Sequence, residues 1–338
     1  MKKRHYWMIA LIFCSVALIS CTREGDNPDN PTPAQTHVYV AGSTSSMSNT
    51  GAGPAVCWED GVFSVLDADA FYAARAVCVK GNDVYYGGGD ADQHPVIWKN
   101  GVPQVLSNEE GCVYALATAN NKIYAAGYVD HYPVYWVDGQ MFRLSNEGNI
   151  GGTATAICIV GNDMYITSTD WNDRGAYLWK NGTIQRLSDK ASAACDVCVY
   201  NNNVYVVGSE SYTSGGYQKS VMWVNGNIRD IQVTTNNGFQ SKATAVAILN
   251  GSPYVVLDGW VGDAYNGRYQ GFAWYNEQVT SLSNCNRPKD VFIHNNDVYI
   301  AGLDDHTSTT PVLLKNLQKV QLNTPSPVRG ICYAVFVK

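Results

Sequence analysis

Charged residues are scarce in this sequence. They make up 15% of its 338 residues, whereas 31 residues are glycine. Surface helices of globular proteins carry many charged residues on their exposed side, whereas the turns between short strands often need glycine. The composition therefore argues against a helical protein and favours an all-β fold.

Clusters of basic residues are also missing after the first four positions. The formal net charge is −6, and no run of Lys or Arg follows Arg4. Binding to nucleic acid depends on a basic patch that neutralises phosphates. We therefore expect no nucleic-acid partner.

Long apolar segments are absent as well. The stretch Met8–Ile19 is apolar but too short to span a bilayer comfortably, and it follows the basic residues at positions 2–4. It ends in Leu18-Ile19-Ser20-Cys21, which resembles the bacterial lipobox. The resemblance implies a lipoprotein signal peptide over residues 1–20 and a lipid on Cys21. The alternative is an ordinary secretory signal with a chance cysteine.

Large side chains are missing from the segment that follows. Residues 22–36 contain no aromatic or large aliphatic residue, so residues 21–36 are predicted to form the lipidated cysteine and a flexible tether. We therefore expect the protein at the outer membrane or cell surface, held to the membrane by its lipid anchor alone.

Recognisable metal and redox motifs are absent. Cys195 and Cys198 lie three residues apart on one predicted strand, so their side chains point to opposite faces. Asp–His combinations such as Asp130-His131 fit no known metal loop. The sequence therefore predicts neither a metal nor another cofactor. A disulfide between Cys285 and Cys332 remains open, because both residues lie near successive connections of the repeat described next.

An internal repeat dominates the rest of the chain. A short apolar phrase with tyrosine in its second place recurs at intervals of 39 to 49 residues. It is centred on Tyr39, Tyr85, Tyr124, Tyr165, Tyr205, Tyr254 and Tyr299. A second phrase follows each tyrosine and carries Trp58, Trp98, Trp136, Trp179, Trp223, Trp274 or, in the last repeat, Leu314. Asn-Gly or Asp-Gly pairs follow most of these and predict tight hairpins.

The repeat predicts seven units of four short strands. Such a unit cannot bury both of its faces alone, so the units must stack into a closed ring. The repeat begins on a second strand at Val38, and the segment Ala334–Lys338 aligns with the first strand of the second repeat, Ala76–Lys80. We therefore predict an all-β, seven-bladed β-propeller over residues 37–338, closed by pairing of the C-terminal strand into the N-terminal blade.

The tyrosine and tryptophan pattern resembles the β-propeller superfamily, and the lipobox with its tether is similar to surface lipoproteins of Bacteroidetes. The resemblance implies the fold over residues 37–338. It assigns no particular family: kelch propellers carry a diglycine in each blade, and the corresponding Gly87-Gly88 occurs here in one blade only. Function must therefore be argued from the site.

The loops predict where a ligand binds. Turns from the first to the second strand and from the third to the fourth are short, and they share one face of the ring. The remaining loops, which we expect to be longer, lie on the other face and carry aromatic residues outside the repeat. The longest loop from a second to a third strand is predicted over Asp258–Gly271 in blade six. Stacking of flat rings on sugars makes these residues ligand candidates, and packing of one loop on another is the alternative. The candidate ligand-binding residues are Trp171, Tyr212, Tyr217, Trp260, Tyr265, Arg268, Tyr269 and Arg75.

Two carboxylates are a separate candidate. Asp196 and Asp290 replace an alanine found at the equivalent place of the innermost strand in the other blades. General acid–base catalysis in a propeller hydrolase or lyase would use such groups. Capping of a backbone amide, or pairing with Lys289 or Arg75, is the structural alternative and is favoured.

Three functions follow from these features. The leading hypothesis is a surface binding protein that captures an extracellular small molecule, with a glycan favoured, and passes it to an outer-membrane importer. The second is a protein-interaction scaffold on the outer membrane. The third is a glycoside hydrolase or lyase, and the sequence favours binding over catalysis.

Overall fold

The computed structural model describes residues 35–44, 53–144, 151–171, 174–211, 217–233, 240–262, 266–305, 309–325 and 329–338. Residues 37–338 form one compact unit. The predicted signal peptide, Cys21 and most of the tether lie outside the described residues, as do Tyr212 and Tyr265. The described part contains strands and turns but no helix, so it includes no helix that could span a membrane.

The described strands number 28 and form seven sheets of four. Blades one to four consist, from the innermost strand outward, of β28 (Gly330–Val337), β1 (Val38–Thr44), β2 (Ala55–Glu59), β3 (Val62–Asp67); β4 (Tyr72–Lys80), β5 (Asp83–Gly89), β6 (Pro95–Lys99), β7 (Val102–Val105); β8 (Gly111–Ala119), β9 (Lys122–Val129), β10 (Tyr132–Val137), β11 (Gln140–Arg143); and β12 (Gly152–Val160), β13 (Asp163–Asp170), β14 (Ala176–Lys180), β15 (Thr183–Arg186).

The remaining three blades follow the same order. They consist of β16 (Ser192–Tyr200), β17 (Asn203–Ser211), β18 (Gln218–Val224), β19 (Asn227–Asp230); β20 (Gln240–Leu249), β21 (Ser252–Val261), β22 (Arg268–Tyr275), β23 (Gln278–Leu282); and β24 (Arg287–His294), β25 (Asp297–Asp304), β26 (Thr310–Lys315), β27 (Gln318–Val320). The predicted seven-bladed propeller is confirmed.

The predicted closure of the ring is also confirmed. The C-terminal strand β28 pairs antiparallel with β1, with Ala334 opposite Ala41. Blade one therefore contains both ends of the repeat region, and closure covers the two exposed blade faces that an open array would present.

The Asn-Gly and Asp-Gly turns hold the outer strands in register. In blade two, Asn100 has a φ of 50° and Gly101 a φ of 81°, a conformation that asparagine and glycine tolerate. The Asn100 side chain accepts a hydrogen bond from the backbone N–H of Val84 at 2.8 Å and donates one to Asp83. Equivalent turns in other blades, at Asn181 and Asn316, make the same pair of bonds.

The repeated tryptophans fill the spaces between blades. Trp58, Trp98, Trp136, Trp179 and Trp223 are the largest fully buried side chains of the described part. Seven hydrophobic clusters occur there, and each combines residues of two neighbouring blades. The cluster with Trp58 includes Leu313, so it joins blade seven to blade one. Stability therefore comes from stacking blades rather than from any single sheet.

The structure corrects the predicted loop in blade six. Trp260 lies within β21 and Arg268 and Tyr269 lie within β22, because the hairpin continues to pair as far as Val261 opposite Arg268. The predicted loop over Asp258–Gly271 is therefore mostly strand. In blade three the corresponding connection is a two-residue turn, Asp130-His131, so the loops of this face are not uniformly long. We keep the name long-loop face for it and use short-turn face for the opposite side.

Candidate functional site

Each innermost strand carries a β-bulge at the same place. In blade four, Ala154 pairs with Ser168 and Ala156 pairs with Thr167, so Thr155 is the extra residue. The same irregularity places one residue outside the ladder in five other blades, and in blade two the ladder is interrupted over residues 73–75, with Arg75 at the equivalent place. These residues, here called the axial ring, are Arg75, Tyr114, Thr155, Cys195, Thr244, Lys289 and Tyr333.

The axial ring was missed by the sequence analysis apart from Arg75. All seven members are half-buried, and in every blade the preceding residue is buried, so each reaches solvent from a packed strand. A bulge redirects the side chain that it carries, and bulges are frequent next to binding sites. The ring therefore places seven different side chains around one opening.

A glycine in the second strand could have revealed the bulge. In five blades the residue three positions after the repeat tyrosine is glycine, and a Cβ there would overlap a carbonyl oxygen of the innermost strand. The five are Gly42, Gly88, Gly127, Gly208 and Gly302. An isolated glycine within a strand often marks a bulge or a close backbone approach.

Arg75 lies between two tyrosines of the axial ring. Its guanidinium carbon is 5.0 Å from the ring centre of Tyr114 and 4.8 Å from that of Tyr333. The two tyrosines belong to the blades on either side, so three neighbouring ring members are in contact. The buried Nε of Arg75 has no hydrogen-bond partner in the described part of the chain. No described carboxylate forms an ion pair with it, in contrast to one of the alternatives drawn from the sequence.

Trp171 belongs to an aromatic cluster on blades two to four. Its ring packs edge-on against Tyr128 at 5.6 Å and against His131 at 5.8 Å. The Tyr128 hydroxyl donates a hydrogen bond to that of Tyr72 at 2.9 Å, and the Tyr72 ring contacts Phe71. Trp171 nevertheless remains 48% exposed, which makes it the most exposed of the described tryptophans. The cluster thus offers a flat apolar surface to solvent.

Trp260 lies in a second group on blades six and seven. It packs edge-on against Tyr269 at 5.2 Å, and the guanidinium of Arg287 lies 4.3 Å from the centre of the Tyr269 ring. Arg268 is exposed on the same hairpin. The candidate aromatic residues therefore divide into two groups, one around Trp171 and one around Trp260, with the axial ring as the feature shared by all blades.

Basic residues are concentrated beside this second group. Lys242, Arg287 and Lys289, here called the basic cluster, act together on Asp258: burial raises the pKa of its carboxyl, while the three cations lower it. Arg287 approaches Asp258 and Asp305 at 3.8 Å each, which is too long for a hydrogen bond. Burial lowers the pKa of the Lys289 ammonium.

Asp196 and Asp290 cap backbone amides between blades. Asp196 accepts hydrogen bonds from the N–H groups of Val197 and Val246, both at 2.8 Å. Asp290 accepts equivalent bonds from Val291 and Val335 at the same distance. Burial raises the pKa of Asp196 to about 7 and that of Asp290 to about 6. Both oxygens of each carboxylate are engaged, so the contacts fit the structural alternative.

Other sequence candidates lie apart from these groups. Tyr217 is 36% exposed at the start of the third strand of blade five. Cys285 and Cys332 are buried free thiols and form no disulfide. Among the described residues no group of three or more His, Cys, Asp or Glu side chains is placed to hold a metal ion.

A shallow depression opens on the short-turn face between blades three and four. Its wall includes Tyr124, Tyr135, Phe142 and Met164, and no charged residue lines it. Tyr135 and Phe142 stack on each other at 5.0 Å, so their ring faces are already in contact. This depression offers fewer chemically distinct groups than the long-loop face.

Comparison with known proteins gives a likeness of fold. No protein-family model and no curated protein match the sequence. Similar solved structures include a puromycin hydrolase mutant complexed with PGG (TM-score 0.56, 10% identity, 86% of this chain and 52% of that chain) and a Mycobacterium tuberculosis puromycin-hydrolyzing peptidase (TM-score 0.52, 9% identity, 85% and 54%). A Trypanosoma rangeli sialidase in complex with the inhibitor DANA gives a TM-score of 0.43 at 11% identity over 82% and 53%.

This chain spans about half the length of these three proteins. At such low identity a structural match shows only how the chain is folded, because propellers host many unrelated functions. The two matches with TM-scores above 0.5 therefore show a likeness of fold to about half of a larger protein.

Proposed function

We propose that the protein captures an extracellular glycan on its long-loop face, at the outer membrane or cell surface, anchored by a lipid on Cys21. The propeller fold fits a binding or scaffold role. The observation that carries the proposal is Trp171, which stays 48% exposed although Tyr128 and His131 hold its ring in place. In this proposal the ligand then passes to an outer-membrane importer.

The physical argument concerns a rigid, exposed ring. Leaving a large aromatic surface in water is unfavourable, and a ring fixed by its neighbours loses little conformational entropy when a ligand stacks on it. The half-buried Tyr72 belongs to the same cluster, and the buried Tyr128 links it to Trp171. A saccharide presents apolar C–H faces for stacking and hydroxyls for hydrogen bonds with a tyrosine such as Tyr72.

The test is a saccharide screen on the full chain in detergent micelles, followed by calorimetry on the binders. We expect Trp171→Ala to weaken binding by about tenfold or more, which corresponds to the loss of one good stacking contact. Phe142→Ala is the matched control, because Phe142 is a partly exposed aromatic residue on the short-turn face. Equal affinities of Trp171→Ala and the unaltered protein would exclude the proposed surface.

A scaffold role is the second candidate, favoured by the exposure of Phe71, which contacts Tyr72 in the cluster that contains Trp171. It predicts capture of an outer-membrane protein by the full chain, no heat with saccharides, and loss of capture in Phe71→Ala. Catalysis by Asp196 and Asp290 has less support, because backbone amides already engage both oxygens of each carboxylate.

A further inference from the structure

The basic cluster has more positive than negative charge around it, although the chain as a whole carries a net charge of −6. Lys242, Arg287 and Lys289 face two nearby carboxylates, Asp258 and Asp305. Asp305 is also engaged by the side chain of Asn286. The carboxylates therefore cannot satisfy all the donors of the three cations.

Several of these donors have no partner. The buried Nε of Arg287 and that of Arg75 lack a hydrogen bond in the described part of the chain. Among the same residues, the Lys289 ammonium makes no hydrogen bond and no ion pair; its electrostatic neighbours are Asp258, Arg287 and Lys242. An unpartnered buried donor is costly, and cationic donors are the most costly.

The order of the blades brings two of these cations to the same arc of the axial ring. Lys289 on blade seven and Arg75 on blade two flank Tyr333 on blade one. The guanidinium of Arg75 lies over the rings of Tyr114 and Tyr333, and the N–H edge that includes its unpartnered Nε is the part left for a ligand. A planar carboxylate matches such an edge, because it accepts two parallel N–H bonds.

We propose that the arc formed by Lys289, Tyr333 and Arg75, with Lys242 and Arg287 beside it, binds a carboxylate of the ligand, and that the ligand is therefore an acidic saccharide such as a uronic-acid oligomer. This inference rests on the proposed function and adds the chemical class of its ligand. The tyrosine ring between the two cations contacts the sugar, and the cations hold its acid group.

The titration of the basic cluster agrees with this assignment. Burial lowers the pKa of Lys289, and the positive charges of Arg287 and Lys242 lower it further, while Asp258 acts in the opposite direction. A bound carboxylate adds a negative charge beside Lys289 and so favours its protonated form. Binding is therefore expected to take up protons wherever part of the free protein carries Lys289 in its neutral form.

The experiment compares trigalacturonate with its methyl ester, which has the same sugar rings without charge, by calorimetry on the full chain in detergent at low ionic strength. Galacturonate alone and inorganic phosphate test whether the anion is bound without the oligomer. We expect trigalacturonate to bind at least tenfold more tightly than its ester. Lys289→Met and Arg75→Gln are each expected to remove most of that preference, and Lys122→Met, an exposed lysine at the start of the second strand of blade three, is expected to keep it.

Folding of the variants is checked by thermal unfolding, and Lys289→Met is expected to raise the melting temperature because it removes a half-buried charge that has no ion-pair partner among the described residues. Equal affinity for acid and ester would overturn the carboxylate site and leave the proposed function standing. Binding of galacturonate or phosphate that is lost in Lys289→Met, without binding of any oligosaccharide, would support the anion site and contradict glycan capture. Failure to bind any of these compounds would contradict the acidic-saccharide assignment, and the saccharide screen alone would then decide the proposed function.

Discussion

The carboxylate of Asp290 accepts a hydrogen bond from the backbone N–H of Val335 at 2.8 Å. Asp290 belongs to blade seven, and Val335 lies on the C-terminal strand that completes blade one. Its other oxygen accepts the N–H of Val291. One side chain therefore ties the last repeat to the strand that closes the ring, and the same contact recurs between Asp196 and Val246 in blades five and six.

Removal of residues 329–338 is expected to unfold the propeller. The deletion removes β28, leaves β1 with an exposed edge, and opens the core around Trp58, which includes Cys332, Val335 and Val337. Circular dichroism should show loss of the cooperative transition, and adding a peptide of residues 329–338 should restore part of it. A truncated chain that unfolds as cooperatively as the full chain would contradict closure by this strand.

The stability of the protein is expected to fall between pH 5 and pH 8. Burial raises the pKa of Asp290 to about 6 and that of Asp196 to about 7, above that of an aspartate in the unfolded chain. The folded state therefore holds these protons more tightly, and the stabilisation is lost as the pH rises through these values. We expect a decrease in melting temperature on the order of 5 °C.

The double variant Asp196→Asn, Asp290→Asn is the control for this effect. It should show a flatter profile between pH 5 and pH 8, at a lower overall stability because an amide cannot accept both backbone bonds. The exposed Asp83, Asp163 and Asp297 have pKa values lowered mainly by hydrogen bonds to Lys or Asn side chains, so they act only at more acidic pH. A melting temperature that rises from pH 5 to pH 8 would contradict the assignment.

The fold could be predicted from the sequence because each repeat contains the buried and turn residues that a propeller blade requires. Tyr85 and Trp98 occupy positions that are buried between blades. Asn100-Gly101 forms a turn that needs positive φ. These requirements recur in each blade, so seven copies reinforce one another. The match of Ala334–Lys338 to the innermost strand of blade two identified the closing strand for the same reason.

The site could be predicted only in part. Trp171 and Trp260 could be selected because they are tryptophans outside the repeat. The residues that contact them depend on how far the strands of each hairpin continue to pair. The pairing of Val261 with Arg268 lengthens the hairpin of blade six, so Trp260 lies on a strand, whereas Trp171 contacts Tyr128 of blade three. The axial ring was missed because its residues occupy the same bulge position but differ in side-chain type. Only the glycines of the neighbouring strand, such as Gly208, indicate this position in the sequence.

Substitution of two tryptophans by alanine is expected to change the free energy of unfolding by very different amounts. Trp223 is fully buried between blades five and four, so Trp223→Ala should destabilise the protein by about 3–5 kcal/mol. Trp171→Ala should change the free energy of unfolding by less than about 1 kcal/mol, because much of this ring is exposed. Urea unfolding of the two variants measures both values, and a large loss in Trp171→Ala would indicate that the ring has a structural role.

Two variants of the Asn-Gly turn in blade two distinguish the contribution of backbone strain to stability from that of hydrogen bonding. Asn100→Gly keeps positive φ accessible but loses the bonds to Val84 and Asp83, whereas Asn100→Ala loses both advantages. We expect costs of roughly 1 kcal/mol for the glycine variant and roughly 2 kcal/mol for the alanine variant. Thermal unfolding decides the order, and an alanine variant as stable as the glycine variant would show that φ is unimportant here.

The proposed binding surface can be observed directly by fluorine NMR of the protein labelled with 5-fluorotryptophan. The resonance of Trp171 is assigned with Trp171→Phe, and the protein is titrated with the tightest saccharide of the screen. Our account predicts that the Trp171 resonance shifts while those of the buried Trp98 and Trp223 stay in place. A saccharide that saturates the protein without moving the Trp171 resonance would contradict the account.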